Sequence, residues 1–214
     1  SYPEYIVSGI TEKPAGYVHI GTYYGQFLYN LKEKKWTDLG HYNEALTQFL
    51  DTGEENSLWY STWNSGLTKI TWDYNDPSTV TSAVRINGDA FNSIYRIICG
   101  EDHTIYFGTW GEGLKHYIPG RRDSVISVGD KSFTASLINC LFRDKLNNIW
   151  IGTYGGGIFR FNPLSFGIEH YPVTEKLPAP AISLTACADD MILMGTQGHG
   201  VFLYLPPENK LIPK

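Results

Sequence analysis

Asn148-Ile149-Trp150-Ile151-Gly152-Thr153-Tyr154-Gly155-Gly156-Gly157-Ile158-Phe159-Arg160-Phe161 governs how the rest of the chain is read, because four relatives of it recur at nearly constant spacing. They run from Tyr17 to Asn30, Ser57 to Ile70, Thr104 to Tyr117 and Asp190 to Tyr204. Their Gly-Thr or Ser-Thr steps begin at positions 21, 61, 108, 152 and 195, giving intervals of 40, 47, 44 and 43 residues. A period of that length suits a four-stranded propeller blade and is too long for leucine-rich or hexapeptide repeats.

Each column of the repeat has a physical reading. Val18, Leu58, Ile105, Ile149 and Ile192 stand three residues before the step; Ile20, Tyr60, Phe107, Ile151 and Met194 stand one before it. A spacing of two puts both columns on one face of a strand. His19, Trp59, Tyr106, Trp150 and Leu193 lie between them and face the other way, so the strand is expected to be buried on both faces, as in sheets stacked one on another. Gly66, Gly113, Gly157 and Gly200 fall five residues after the first residue of the step, where the first copy has Gln26 and carries Gly25 one place earlier. Glycine there predicts a tight connection into a further strand, which begins with Phe27, Leu67, Leu114, Ile158 or Val201. A phosphate-binding reading of the glycines requires a following helix, and Ile158 to Pro163 has no helical run.

An apolar segment and a polar turn precede each motif, as in Leu137 to Phe142 before Arg143-Asp144, and a more polar alternating segment follows it, as in Ile168 to Tyr171. These predict an inner and an outer strand flanking each motif hairpin. The expected fold is all-β, a propeller of four-stranded antiparallel blades with five repeats visible. The blades would cover roughly residues 1–41, 42–88, 89–133, 134–178 and 179–214 of a single segment.

The composition agrees with that class. The 214 residues are 42% hydrophobic and 14% aromatic, with 22 glycines for turns, as expected of an all-β protein with a substantial core. A net charge of −5 without a basic run argues against nucleic acid and anionic membrane as partners. No apolar run is long enough to insert in a membrane, and no export leader is visible. Cys99, Cys140 and Cys187 lie in apolar stretches without zinc-like spacing and are expected to be buried free thiols. The six histidines lack metal-ligand spacing, so neither a metal nor another cofactor is expected.

Apolar strand, acidic turn, aliphatic-Trp-Ile-Gly-Thr, then Gly-Gly-Gly-Ile and an aromatic strand together resemble the two-component regulator propeller repeat, over nearly the whole chain. The fourth copy is the most specific and the third is close to it; the others depart at His19, Gln26, Ser61 and Leu193. The resemblance implies the periplasmic sensor region of a bacterial hybrid two-component protein, with seven blades to a propeller. A further β-sandwich, one membrane helix and a histidine kinase would lie beyond it. It also implies a homodimer of the full-length protein, because such sensors couple two kinases. Five repeats either close on themselves or form part of a larger ring, and the larger ring is the expectation.

The acidic pairs Glu101-Asp102 and Asp189-Asp190, with Arg143-Asp144, raise the alternative of a secreted glycosidase or lyase. Their recurrence at one place in the repeat favours a turn role, since Asp and Asn hydrogen-bond turn backbone. Catalysis is therefore not expected of this segment. The residue after the Thr of each step is Tyr23, Trp63, Trp110, Tyr154 or Gln197. On a blade these would ring one mouth of the channel, where flat aromatic faces suit the C–H surfaces of sugars. The candidate ligand-binding residues are Tyr23, Trp63, Asn64, Trp110, Glu112, Tyr154 and His199, and the expected partner is an oligosaccharide or another small-molecule ligand. The competing readings are that the rings pack between blades or dock another protein.

Overall fold

A computed structural model of the protein describes residues 6–40, 45–86, 93–121, 126–129, 133, 137–171, 179–187, 191–208 and 210–214. The expected borders near 41, 88 and 178, the acidic turn Asp189-Asp190, and Ser124 and Val125 of an expected outer strand lie outside the described residues.

Twenty strands form five antiparallel four-stranded sheets among the described residues. The first contains β1 (Val7–Glu12), β2 (Tyr17–Thr22), β3 (Gln26–Asn30) and β4 (Lys35–Gly40). The second contains β5 (Leu46–Leu50), β6 (Ser57–Thr62), β7 (Leu67–Asp73) and β8 (Asp76–Ile86). The third contains β9 (Ile94–Cys99), β10 (Ile105–Thr109), β11 (Leu114–Tyr117) and the short β12 (Ile126–Ser127). The fourth contains β13 (Ile138–Arg143), β14 (Ile149–Thr153), β15 (Ile158–Asn162) and β16 (Gly167–Tyr171). The fifth contains β17 (Ala181–Ala186), β18 (Ile192–Thr196), β19 (Val201–Leu205) and β20 (Lys210–Pro213). In every sheet spatial order follows chain order, so each is an up-and-down meander, the unit of which propellers are built. The segments expected as inner strands are strands, not helices. Among the described residues no helix is long and apolar enough to cross a membrane.

The chain divides into two compact units, residues 1–97 and 98–214, with the division inside β9. In the first unit, Leu46, Phe49, Leu58, Tyr60, Ile70 and Trp72 form a buried cluster. In the second, Tyr106, Leu114, Ile138, Ile149, Ile151 and Phe161 belong to one core, and Trp150, Ile158, Leu184, Ile192, Met194 and Tyr204 to another.

Double burial of the motif strand holds along the whole of β6, β10 and β14. In β18 buried and half-buried residues alternate, and β17 exposes Ile182. Only one face of the fifth sheet is covered by described residues. In the first unit β1 likewise exposes Val7 and Ile10.

Close packing also explains the glycine of the Gly-Thr step. A Cβ at Gly108 would collide with Ile138 of the sheet that follows, and one at Gly152 with Cys140 Sγ, while also standing 3.0 Å from Ala181 Cβ. In the second sheet Ser61 occupies this position, and its hydroxyl lies 2.7 Å from Thr47 Oγ1, which in turn donates to the Ile94 carbonyl at 2.7 Å. A hydroxyl pair there bridges two successive inner strands.

Candidate functional site

The loop after each Gly-Thr step is built around the threonine. Thr62, Thr109, Thr153 and Thr196 each donate to the carbonyl of the glycine four residues on, through both the backbone N–H and the side-chain hydroxyl, the latter at 2.8 to 3.2 Å. Thr22 does the same with Gly25, so the first copy closes its loop one residue earlier. That shift is why Gln26 can replace glycine there. Where the longer loop is used, Gly66, Gly113, Gly157 and Gly200 all have φ between 67° and 85°, a region costly for residues with a Cβ. The hydroxyls of Thr62 and Thr109 also accept the backbone N–H of Ser65 and Glu112 at 2.9 Å. Closing the loop on itself leaves the residue after the threonine at its outer edge.

That residue is also tied to an inner strand. The backbone N–H of Trp63 donates to the Ala45 carbonyl at 2.8 Å, Tyr154 to Leu137 at 2.9 Å and Gln197 to Pro180 at 3.1 Å. In the second unit Leu137 also forms an isolated antiparallel bridge with Trp110. Leu137 thus fixes the loop of its own sheet and that of the preceding one, bringing two aromatic residues together.

Trp110 and Tyr154 are the result. Their ring centroids lie 6.3 Å apart with planes inclined at 54°, and the side chains are 41% and 54% exposed. Aromatic rings at that distance attract each other without stacking face to face, so each keeps a face open to solvent. Glu112 lies exposed in the Trp110 loop, with a carboxylate oxygen 3.9 Å from Lys115 Nζ. Lys115 is nearly buried and donates to Ser127 Oγ at 3.0 Å. On the Tyr154 loop, His170 of β16 bonds the Gly156 carbonyl at 2.8 Å while its ring stacks on Phe159 at 4.3 Å.

The remaining expected site residues are placed differently. Tyr23, Trp63 and Asn64 belong to the first unit. Trp63 is half-buried and packs edge-on against Tyr95 at 5.9 Å, which is the interblade role weighed against ligand binding, whereas Tyr23 and Asn64 are exposed. His199 is exposed in the second unit, and its Nδ1 lies 3.2 Å from the Gln197 carbonyl in its own loop. Sequence reasoning did not single out Leu137, His170 or the threonine hydroxyls. The threonines were visible as an invariant column of five, but Leu137 and His170 enter only through pairing between strands.

Asp144 and Asp102 have the structural turn role expected of them. Asp144 Oδ1 accepts the backbone N–H groups of Leu146 and Asn148, while Oδ2 accepts Trp150 Nε1 and Asn148 Nδ2. Asp102 accepts the backbone N–H and hydroxyl of Thr104. Asp51 holds the Gly53 N–H and pairs with Lys13. Carboxylates occupied in this way are poorly placed for acid and base work. Among the described residues no group of three His, Cys, Asp or Glu side chains is arranged to hold a metal. One expectation is corrected: of three free cysteines only Cys140 is buried, Cys99 is half-buried, and Cys187 is exposed, following an end of β17 that no described residue covers.

Residues 132–155 match the family described as "Two component regulator propeller". No curated protein matches the chain. Among solved structures, the extracellular domain of the hybrid two component system BT4673 from B. thetaiotaomicron superposes with a TM-score of 0.77 at 22% identity, covering 96% of this chain and 27% of that one. The corresponding domain of BT3049 from the same organism gives 0.73 at 17% identity, over 97% and 28%. PorZ, a surface component of the type-IX secretion system of Porphyromonas gingivalis, gives 0.72 at 17% identity, over 91% and 31%. The chain therefore spans about a third or less of the length of these structures. Its five meander sheets share their fold, and residues 132–155, which lead into and include β13 and β14 of the fourth sheet, match the two component regulator propeller repeat.

Proposed function

We propose that this chain is a ligand-recognition segment, without catalysis of its own, from the extracytoplasmic sensor of a two-component signalling protein, and that it reads an oligosaccharide. The observation that carries the reading is the Trp110–Tyr154 pair, two exposed rings held 6.3 Å apart by loops that are themselves tied down. Exposed aromatic rings gain little in isolation, and a rigid inclined pair offers two open faces to the C–H surface of a sugar. Glu112 and the backbone of the glycine-rich loop supply hydrogen-bond partners for hydroxyls. Protein docking would use the same rings, but Glu112 and Gly155 beside the pair are exposed and not apolar, which favours a polar ligand.

The signalling half of the proposal rests on the repeat match and on the extracellular sensor domains that share the fold. It places the segment in the periplasm, within a larger propeller and in a protein that dimerises to couple two kinases. Recognition would then be transmitted as a change in the arrangement of two sensors.

A thermal-shift survey of neutral and modestly charged glycan fragments tests the ligand class. A fragment at 100 times its Kd stabilises the fold by about 2.7 kcal/mol, which raises the midpoint by a readily measured amount. A survey in which peptides shift the midpoint and no glycan does would replace the oligosaccharide with a protein partner.

A further inference from the structure

At the other end of the fourth sheet, away from the Tyr154 loop, lies a groove of about 740 Å³ within the second unit. Trp150, near the start of β14, forms part of its wall, whereas Tyr154 follows the end of that strand. The groove runs between the turn ahead of β14, the outer strand β16, and the residues around β18 and the 3-10 turn Pro206–Glu208. Its size is that of a small-molecule site.

The wall is rigid. Trp150 stacks on Tyr171 at 5.6 Å and 23°, with the Arg160 guanidinium 5.6 Å from the indole centroid. Because Trp150 is 2% exposed, its face is not available for stacking on a sugar. The apolar surface offered to a ligand comes instead from Leu146, Met191, Pro206 and Pro207.

The polar groups of the groove are asymmetric. Its two carboxylates are occupied: Asp144 by the turn and the indole N–H, and Glu169 by Arg160 Nη2 at 2.7 and 2.8 Å and by the Tyr171 hydroxyl. The cations keep unused donors. Arg160 bonds Glu169 through Nη2 alone, which leaves Nη1 and Nε without a hydrogen bond among the described residues, and Lys145 has neither a hydrogen bond nor an ion pair there. The Lys145 backbone is held in place, because its turn is clamped on both sides by Asp144, while the side chain is exposed. Saturated acceptors beside unused charged donors favour a ligand that brings acceptors of its own.

We propose that this groove is a second binding site, distinct from the aromatic pair, for an organic anion with an apolar body. A carboxylate or sulfonate would accept from Lys145 Nζ and the free edge of Arg160, and an aliphatic or aromatic body would lie over Met191, Pro206 and Leu146. The guanidinium already lies against Trp150, so little side-chain freedom is lost on binding.

Cys187 lines the groove and is exposed, whereas Cys140 is buried and Cys99 half-buried, so thiol alkylation reports on its occupancy. The probes are 4-phenylbutyrate and its uncharged amide, 4-phenylbutyramide. The rate of Cys187 alkylation by iodoacetamide is followed by mass spectrometry on the intact chain. The carboxylate should slow labelling of Cys187, with Cys99 unaffected, at about tenfold lower concentration than the amide. Lys145→Gln, an exposed turn substitution, should remove that tenfold preference while leaving the melting temperature in place, and Arg160→Gln should do so as well. Equal protection by carboxylate and amide, a preference that survives Lys145→Gln, or no protection by millimolar carboxylate would each overturn the proposal.

Discussion

The indole N–H of Trp150 donates to Oδ2 of Asp144 at 2.8 Å, joining a buried aromatic of the fourth copy to the acidic turn that precedes it. One carboxylate thus closes the turn and satisfies the only polar atom of a side chain that is 2% exposed. Trp150→Ala should cost about 3–5 kcal/mol through cavity formation. Trp36 lies on outer strand β4, 37% exposed, against Tyr29, and Trp36→Ala should cost clearly less. Denaturant melts returning the reverse order would mean that inner and outer packing have been exchanged.

Gly152 tests how closely β14 packs on its paired strand β13 and on the sheet that follows. A methyl group there meets Cys140 Sγ and Ala181 Cβ, so Gly152→Ala should destabilise by about 1–3 kcal/mol through overpacking. Pairing it with Cys140→Ala should recover part of that loss. A neutral Gly152→Ala, or a double variant as unstable as the sum of the two single ones, would contradict the packing role given to this glycine.

His19 makes the first unit sensitive to acid. Its ring is 1% exposed, against Trp72 at 5.3 Å and Phe49 at 6.0 Å, and neither nitrogen has a side-chain partner. Burial lowers its pKa from 6.5 to about 4, only partly opposed by the Lys13 backbone. The folded state therefore holds this imidazole neutral while the unfolded chain protonates it. Stability is full above pH 6.5, falls as the pH drops toward 4 and loses about 3 kcal/mol from this group across that window. Burial also lowers the pKa of His116, which adds a loss of the same sign. Urea titrations at pH 7.5, 6 and 5 should show the decline, and His19→Leu should flatten it; equal slopes in the two proteins would assign the acid sensitivity elsewhere.

The regular strands were legible in the sequence because their cause is local. Alternation at a spacing of two marked β6, β10 and β14, and the glycine of the longer loops marked a left-handed turn that the backbone adopts at Gly66, Gly113, Gly157 and Gly200. The aromatic column was also visible, but not which of its members stay exposed: Trp63 and Trp110 occupy equivalent positions, and Tyr95 half-covers one while the other is 41% exposed beside Tyr154. That difference depends on what the neighbouring inner strand carries. The anion groove was invisible for the same reason, since Lys145, Arg160, Met191 and Pro206 come from four separate places in the chain. Cys187 follows a sheet face that no described residue covers, which an apolar sequence context does not reveal.

Thr109 is the anchor of the loop that presents Trp110, through its hydroxyl bonds to the Gly113 carbonyl and the Glu112 N–H. Thr109→Val keeps the shape and removes both bonds, at a cost of about 1–2 kcal/mol. Hydrogen exchange should rise at Glu112 and Gly113 while β10 stays protected. Unchanged exchange in the loop would show that the backbone bond from the Thr109 N–H holds it alone.

Calorimetric titration of the best-binding glycan fragment against the native chain, Trp110→Ala and Tyr154→Ala measures the central claim most directly. Each substitution should weaken binding by about 1–3 kcal/mol, as for aromatic anchors in contact surfaces, with little change in melting temperature because both side chains are largely exposed. Loss of both rings together should cost less than the sum of the single losses, since the pair is in contact. Unchanged affinity in both variants, or a large fall in melting temperature in place of a fall in affinity, would contradict the account and assign these rings to packing.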